Sequence, residues 1–251
     1  MTDMPHEPQG LSLVGMRRSA VLFLTWTLCA IAHAQGTAEP TAAPAAPQIL
    51  MDFSRSLDLG ALPPDWRHRT FWRYQPMQIS WVNKAGRPAI RLATQGSASM
   101  LFRNVDVRLD RQGFLSWGWF VEQAVVSEID ELSAAGDDHP ARLYLKFQGS
   151  DGQTHALEII WGNTRLVTGD WKYLKTFWGA QGFPHYTARG GQANVGRWHD
   201  ERVDLRALYR KQWGDPAGAR LVELALFCDT DQTGVTSVAY FSNISVETSA
   251  P

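Results

Sequence analysis

Residues 115–122 read Leu-Ser-Trp-Gly-Trp-Phe-Val-Glu. Leu115, Trp117, Trp119 and Val121 fall on one side of an extended chain and Ser116, Gly118 and Glu122 on the other, the period of two that marks a strand. The same period recurs on both sides. Upstream, Ile49, Met51 and Phe53 are predicted to share a face of a first strand, and Ile90 and Leu92 a face of another. Downstream, Leu143, Leu145 and Phe147 oppose Arg142, Tyr144 and Lys146. Val222, Leu224, Leu226 and Cys228 are predicted to share one face, and Val238, Tyr240, Ser242, Ile244 and Val246 another. A single helical pattern interrupts them: Asp204 as N-cap, Leu205, Leu208, Tyr209 and Gln212 at helical spacing, and a stop at Gly214 and Pro216. Short strands with one short crossover helix predict an all-β fold, an antiparallel β-sandwich of jelly-roll or galactose-binding-like type, in place of a βαβ arrangement.

The first residues read as an address. Met16-Arg17-Arg18 leads into an apolar run over Ser19–Ile31, and Ala32-His33-Ala34 ends it in an A-x-A pattern, the three parts of a secretory signal peptide cleaved after Ala34. The run falls short of the roughly 20 residues of a membrane span, so the mature chain is expected to have none. Ordinary secretion fits better than twin-arginine export, because nothing after Arg17-Arg18 supports that signal, and the bulky Leu28 before Cys29 argues against lipidation. The expected organisation is a leader over residues 1–34 with translation starting near Met16, an Ala/Pro-rich linker over 35–47, one sandwich domain over 48–247, and a tail over 248–251. The expected location is periplasmic or secreted.

Lys and Arg total 24 and Asp and Glu 25, a balance that excludes a general polyanion binder and predicts no nucleic-acid partner. Cys29 leaves with the leader, and Cys228 shares an apolar face, which predicts a buried, inert thiol. No nucleophile elbow, phosphate loop or dinucleotide fingerprint occurs, and His139, His155, His185 and His199 are scattered without zinc-ligand spacing.

Four stretches carry candidate chemistry. Glu128-Ile129-Asp130-Glu131 approaches the alternating carboxylates of a retaining glycosidase, but Leu132 stands where the third carboxylate belongs; the stretch reads as a solvated acidic loop. Asp137-Asp138 precedes a strand carrying Arg142, a planar fork matched to a carboxylate; the set pins the strand entry or lines a ligand groove. Asp229-Thr230-Asp231-Gln232-Thr233-Gly234 fits a tight Asp-rich turn, and its Asp229 and Asp231 also suit Ca²⁺, although the bidentate Glu of a full calcium loop is absent. Trp171, Tyr173, Phe177, Trp178, Phe183 and Tyr186 crowd a segment broken by Gly179, Gly182 and Pro184; such a segment either exposes rings for stacking or fills a second small core. Trp117, Trp119 and Trp161 lie in strands and are expected in the core.

In order along the chain, Ser97-Ala98-Ser99-Met100-Leu101, Trp117-Gly118-Trp119, Asp137 to Leu145, Ile160-Trp161-Gly162, the Asp229–Gly234 turn and Ala239-Tyr240-Phe241 resemble a bacterial family known as domain of unknown function 3047. The resemblance covers most of residues 48–247 and implies secretion without an established activity. The chain departs from it where Glu131 to Ala135 replaces a stretch expected to hold a lysine. The closing strand, through Val246, is similar to those of carbohydrate-binding modules, an analogy of fold only. The expected function is an exported, non-catalytic binding module for a glycan or another cell-envelope component. Stacking falls to Trp171 and Trp178, polar contacts to Asp137, Asp138 and Arg142, no catalytic residue is assigned, and no cofactor is required unless Ca²⁺ occupies Asp229 and Asp231. The alternatives are a polysaccharide-active enzyme on the same scaffold and an envelope structural or assembly protein.

Overall fold

Alternation of apolar side chains over short runs lets two sheets bury one face each, and the computed structural model, which describes residues 46–175 and 182–248, has that form. Its strands are β1 (Gln48–Met51), β2 (Trp66–Thr70), β3 (Gln78–Lys84), β4 (Arg87–Gln95), β5 (Ser99–Arg108), β6 (Gln112–Gln123), β7 (Arg142–Gln148), β8 (Thr154–Gly162), β9 (Trp171–Leu174), β10 (Phe183–Gly190), β11 (Trp198–Asp204), β12 (Arg220–Phe227) and β13 (Thr236–Thr248). One sheet runs β11-β6-β13-β4-β3, with β1 also paired to β13; the other runs β2-β5-β12-β7-β8-β10-β9. The result is a jelly-roll sandwich. All ladders are antiparallel except β8 with β10, which run parallel.

The core lies between the sheets. From the first come Ile90, Leu92, Trp117, Trp119 and Phe241; from the second Leu143, Leu145, Phe147, Leu157, Ile159 and Trp161. Trp119 and Trp161 meet edge to face across the gap with centroids 5.5 Å apart, and the Trp119 Nε1–H donates to Glu201 Oε1 at 3.0 Å. The helix α1 (Leu205–Trp213) connects β11 of one sheet to β12 of the other, with the Asp204 carboxylate accepting the N–H groups of Arg206 and Ala207 at its start. Cys228 is buried, and burial pushes its thiol up to about 12, so it stays protonated and inert.

Three predicted strand faces need correction, each for the same reason: an extra residue in a ladder exchanges the two faces beyond it. In β1 a register shift between Ile49 and Met51 leaves Ile49 exposed and buries Leu50 with Met51. In β12 a shift between Leu221 and Glu223 puts Leu221, not Val222, in the core with Leu224 and Leu226. In β13 a shift between Phe241 and Ile244 does the same: Ala239 and Phe241 join Ile244 and Val246 in the main core, whereas Val238 and Tyr240 pack with Ala89, Ala93 and Phe120 in a second cluster.

Trp161 is fully buried at the centre of the sandwich. Trp161→Ala is expected to cost about 3–5 kcal/mol, the range for a large aromatic deleted from a packed core, read as a lower urea midpoint with an unchanged slope.

Candidate functional site

The register of the seven-stranded sheet builds the site. Phe102, Ala225, Tyr144, Glu158, His185 and Lys172 stand side by side on β5, β12, β7, β8, β10 and β9. The row two residues away on the same face holds Phe227, Arg142, Ile160 and Thr187. The intervening residues Leu143, Leu145, Leu157 and Ile159 face the core, so both rows lie on the outer face.

Arg142 is the centre of this face and only 2% exposed. Its Nη1 lies 2.7 Å from Glu158 Oε2 and 3.3 Å from Asp137 Oδ2, and its Nε lies 3.0 Å from Asp229 Oδ1. Its Nη2 has no hydrogen-bond partner among the described residues. Burial opposes the Arg142 charge, but Asp137, Asp229 and Glu158 outweigh it and hold the guanidinium firmly ionised. Burial raises Glu158, and Arg142 together with the contact to His185 more than reverses this, leaving that carboxyl below its ordinary value. Asp137 is likewise held well below the carboxylate range, because Arg142, His139 and His185 together prevail over burial. Asp229 goes the other way: burial, with Asp137 and Asp138 nearby, outweighs Arg142 and pushes it well up. Burial and Asp138 raise Asp231 as well.

Behind Arg142 lies a second set of buried polar groups. Lys172 Nζ sits 2.5 Å from Asp137 Oδ1 and 3.2 Å from His139 Nε2, and donates to the Glu131 carbonyl at 2.5 Å. His139 Nδ1 faces the Trp161 carbonyl at 2.9 Å; a carbonyl only accepts, so Nδ1 carries the proton and Nε2 takes one from Lys172. Burial, together with Arg142 and Lys172, lowers His139 to about 4 and keeps it neutral. His185 Nε2 lies 3.2 Å from Glu158 Oε2.

Two further carboxylates hold loops in place. The Glu131 side chain accepts the backbone N–H groups of Asn163, Thr164, Arg165 and Leu166 and is 3% exposed. The solvated acidic loop expected at 128–131 is thus corrected at Glu131: four donors in the 163–166 turn offset its burial. Asp138 accepts Gln232 N–H at 3.2 Å, Thr233 N–H at 2.6 Å and the Thr233 hydroxyl at 2.5 Å, pinning the 229–234 turn over the sheet.

A pocket of about 380 Å³ opens on this face. Phe71, Tyr74, Tyr144 and Phe227 supply its rings, and Arg142, Glu158, Asp229 and Asp231 its charged or ionisable groups. Phe71 and Tyr74 close a turn through Tyr74 N–H to Phe71 O at 3.1 Å, and Trp72 at its tip is 89% exposed. A cleft of about 480 Å³ elsewhere, over Gln75, Gln95, Gln123 and Thr236, contains neither a ring nor a charged side chain.

Of the residues proposed from sequence, Asp137 and Arg142 come together, and Asp138 joins Asp229 and Asp231, with one oxygen of each within 4.8 Å of the others. Trp171 does not join them. It is one residue from Lys172 and therefore on the opposite face, against Tyr173 and Tyr186 with Lys211 over its ring. Trp178 and Phe177 lie outside the described residues. Sequence reasoning missed Glu158, Lys172, His139 and His185 as partners, and the pocket rings Phe71, Tyr74, Tyr144 and Phe227. The one available signal was Glu158, a charge inside the apolar run Leu157–Trp161.

The chain belongs to the family described as Protein of unknown function (DUF3047), which matches residues 64–245. No curated protein matches it. Among solved structures it is similar to the family 30 carbohydrate-binding module of a cellulosomal cellulase of Clostridium thermocellum, at 10% identity over 80% of this chain and 97% of that one, with a TM-score of 0.41. It is also similar to the family 12 xyloglucanase from Bacillus licheniformis, at 10% identity over 81% and 99% with a TM-score of 0.42, and to an endoglucanase from Rhodothermus marinus, at 11% over 74% and 93%, also 0.42. Likenesses at these scores do not bear on ligand or activity.

Arg142→Ala leaves the buried Glu158 and Asp229 and the half-buried Asp137 without their shared cation and is expected to destabilise by about 3–5 kcal/mol in equilibrium unfolding. Asp229→Asn tests the opposite sign. With its folded value raised, Asp229 contributes fully below the unfolded value of about 3.9 and loses that contribution as pH rises through the raised one. The Asn variant is therefore expected to melt above the parent at pH 7, with the difference closing towards about pH 4.

Proposed function

We propose that this member of the DUF3047 family is an exported glycan-binding protein whose ligand occupies the pocket on the outer face of the seven-stranded sheet. One observation carries the reading: a single pocket unites aromatic rings with buried, already oriented hydrogen-bonding groups. Sugars have apolar faces that lie on rings and hydroxyls that both donate and accept. Arg142 Nη2 offers a donor without a partner, and Glu158 an ionised acceptor. Both are fixed by ion pairs before any ligand arrives, so little ordering is needed on binding. The stacking role expected of Trp171 passes to Tyr74 and Tyr144, because Trp171 faces away. Export rests on the sequence of the first 34 residues, and a mature N-terminus at Gln35 in fractionated cells is its test.

The carboxyls support a second reading, a polysaccharide-active enzyme. Glu158 is held low and Asp229 high around one guanidinium, the divergence that separates an acid from a base. Release of reducing ends from a bound polymer, abolished in Glu158→Gln, favours that reading; binding without release retains the first.

A glycan-array screen of the purified protein followed by calorimetry tests the binding proposal. Tyr74→Ala, at a ring 38% exposed, is expected to weaken the affinity roughly tenfold, about 1.4 kcal/mol, while the melting temperature stays near that of the parent. Absence of binding to any glycan, or undiminished affinity in both Tyr74→Ala and Phe71→Ala, would remove the proposal.

A further inference from the structure

The charges around the pocket do not balance. Among the described residues, Asp137, Asp138, Glu158, Asp229 and Asp231 have two lysine or arginine side chains in ion-pair contact, Arg142 and Lys172, with Arg69 further out over the Phe71 ring and His139 kept neutral. Counting Arg69 still leaves the carboxyls in excess. Asp138, Asp229 and Asp231 place one oxygen each within 4.8 Å of the others, and the last two face the pocket. Arg142 lines the same pocket, and its buried Nη2, without a partner among the described residues, calls for an acceptor oxygen on whatever binds.

Taking the pocket to be a sugar site, we infer that its ligand is an amino sugar, with a protonated amine against Asp231 and Asp229 and a hydroxyl or ring oxygen at Arg142 Nη2. Two features select an ammonium over a metal ion. Arg142 Nε lies 3.0 Å from Asp229 Oδ1, so a divalent cation on that carboxylate would sit beside a guanidinium, whereas an ammonium brings half the charge and directs its hydrogens at carboxylate oxygens. Asp138 is already engaged by three donors from Gln232 and Thr233, which leaves it to shape the cluster more than to complete a coordination sphere. The Tyr74 ring at the pocket edge suits an organic cation, whose charge a π-face attracts. The raised values of Asp229 and Asp231 agree, since an uncompensated negative cluster takes up either a proton or a cation.

The test is calorimetry on the purified protein with three tetrasaccharides of the same β-1,4 linkage: glucosamine at a pH where its amines are protonated, N-acetylglucosamine, and glucose. The glucosamine tetramer is expected to bind at least roughly tenfold more tightly than the other two. Asp231→Asn is expected to bring that ratio close to one, and Asp231→Glu to keep it. Should the Asn variant fail to fold, the unmodified protein still decides: raising NaCl from about 0.05 to 0.5 M shrinks the ratio if an ion pair makes it. Equal or tighter binding of a neutral tetramer overturns the inference and leaves the glycan reading standing. Saturable Ca²⁺ binding that is lost in Asp231→Asn, with no preference for the amine, overturns it in favour of a metal site. No binding by any tetramer, together with an empty glycan array, removes both.

Discussion

The guanidinium of Arg142 is the contact on which the outer face depends. It ties Asp137 from the loop before β7, Glu158 from β8 and Asp229 from the turn after β12 to one point on the sheet. Taking these four groups out of water is expensive, and an apolar set of similar volume commonly does as well or better for stability. Stability alone therefore does not account for the arrangement. What the ion cluster supplies is fixed direction: carboxylates from three segments and a donor without a partner among the described residues, all held in one orientation.

That orientation is passed to the loops by carboxylates acting on backbone N–H groups. Glu131 gathers the 163–166 turn, and Asp138 gathers Gln232 and Thr233. Lys172 joins the two systems by contacting Asp137, His139 and the Glu131 carbonyl. His139 then reaches the Trp161 carbonyl, at the strand whose indole packs on Trp119 in the core. The pocket walls are thus anchored to the centre of the sandwich through a continuous set of polar contacts, a stiff setting for a binding surface.

Period two made the sandwich legible, and the same rule explains where the reading slipped. Alternation puts Ile49, Val222 and Tyr240 on one face with Met51, Leu224 and Ile244 only if it is carried through positions where the ladder gains a residue, and no composition signal marks those shifts. In the site, Asp137 and Arg142 were legible because they are close in sequence and of opposite charge. Asp229 and Asp231 announced themselves as a turn. Glu158, His185 and Lys172 meet Arg142 and Asp137 only through the order β7-β8-β10-β9, which includes a parallel pair that adjacency in sequence does not suggest. Trp171 illustrates the converse: its crowded aromatic neighbourhood draws attention, but one residue of register separates it from the face that carries Lys172 and Glu158.

The two outer faces of the sandwich also explain why one sheet carries the site. On the six-stranded sheet Phe120 and Tyr240 pack edge to face and are almost fully buried, with Lys84 Nζ 4.6 and 4.7 Å above their rings. The neighbouring Trp198 is covered by Arg87, which is itself paired with Asp200. Those π-faces already have their cations, supplied by the chain itself. On the seven-stranded sheet Arg142 lies over Phe227 and Arg69 over Phe71, but Tyr74 and Tyr144 have no cation within stacking range among the described residues, and both border the pocket. Tyr74 and Tyr144, next to carboxyls in excess over their cations, give this sheet a surface whose unmet interactions are both apolar and electrostatic.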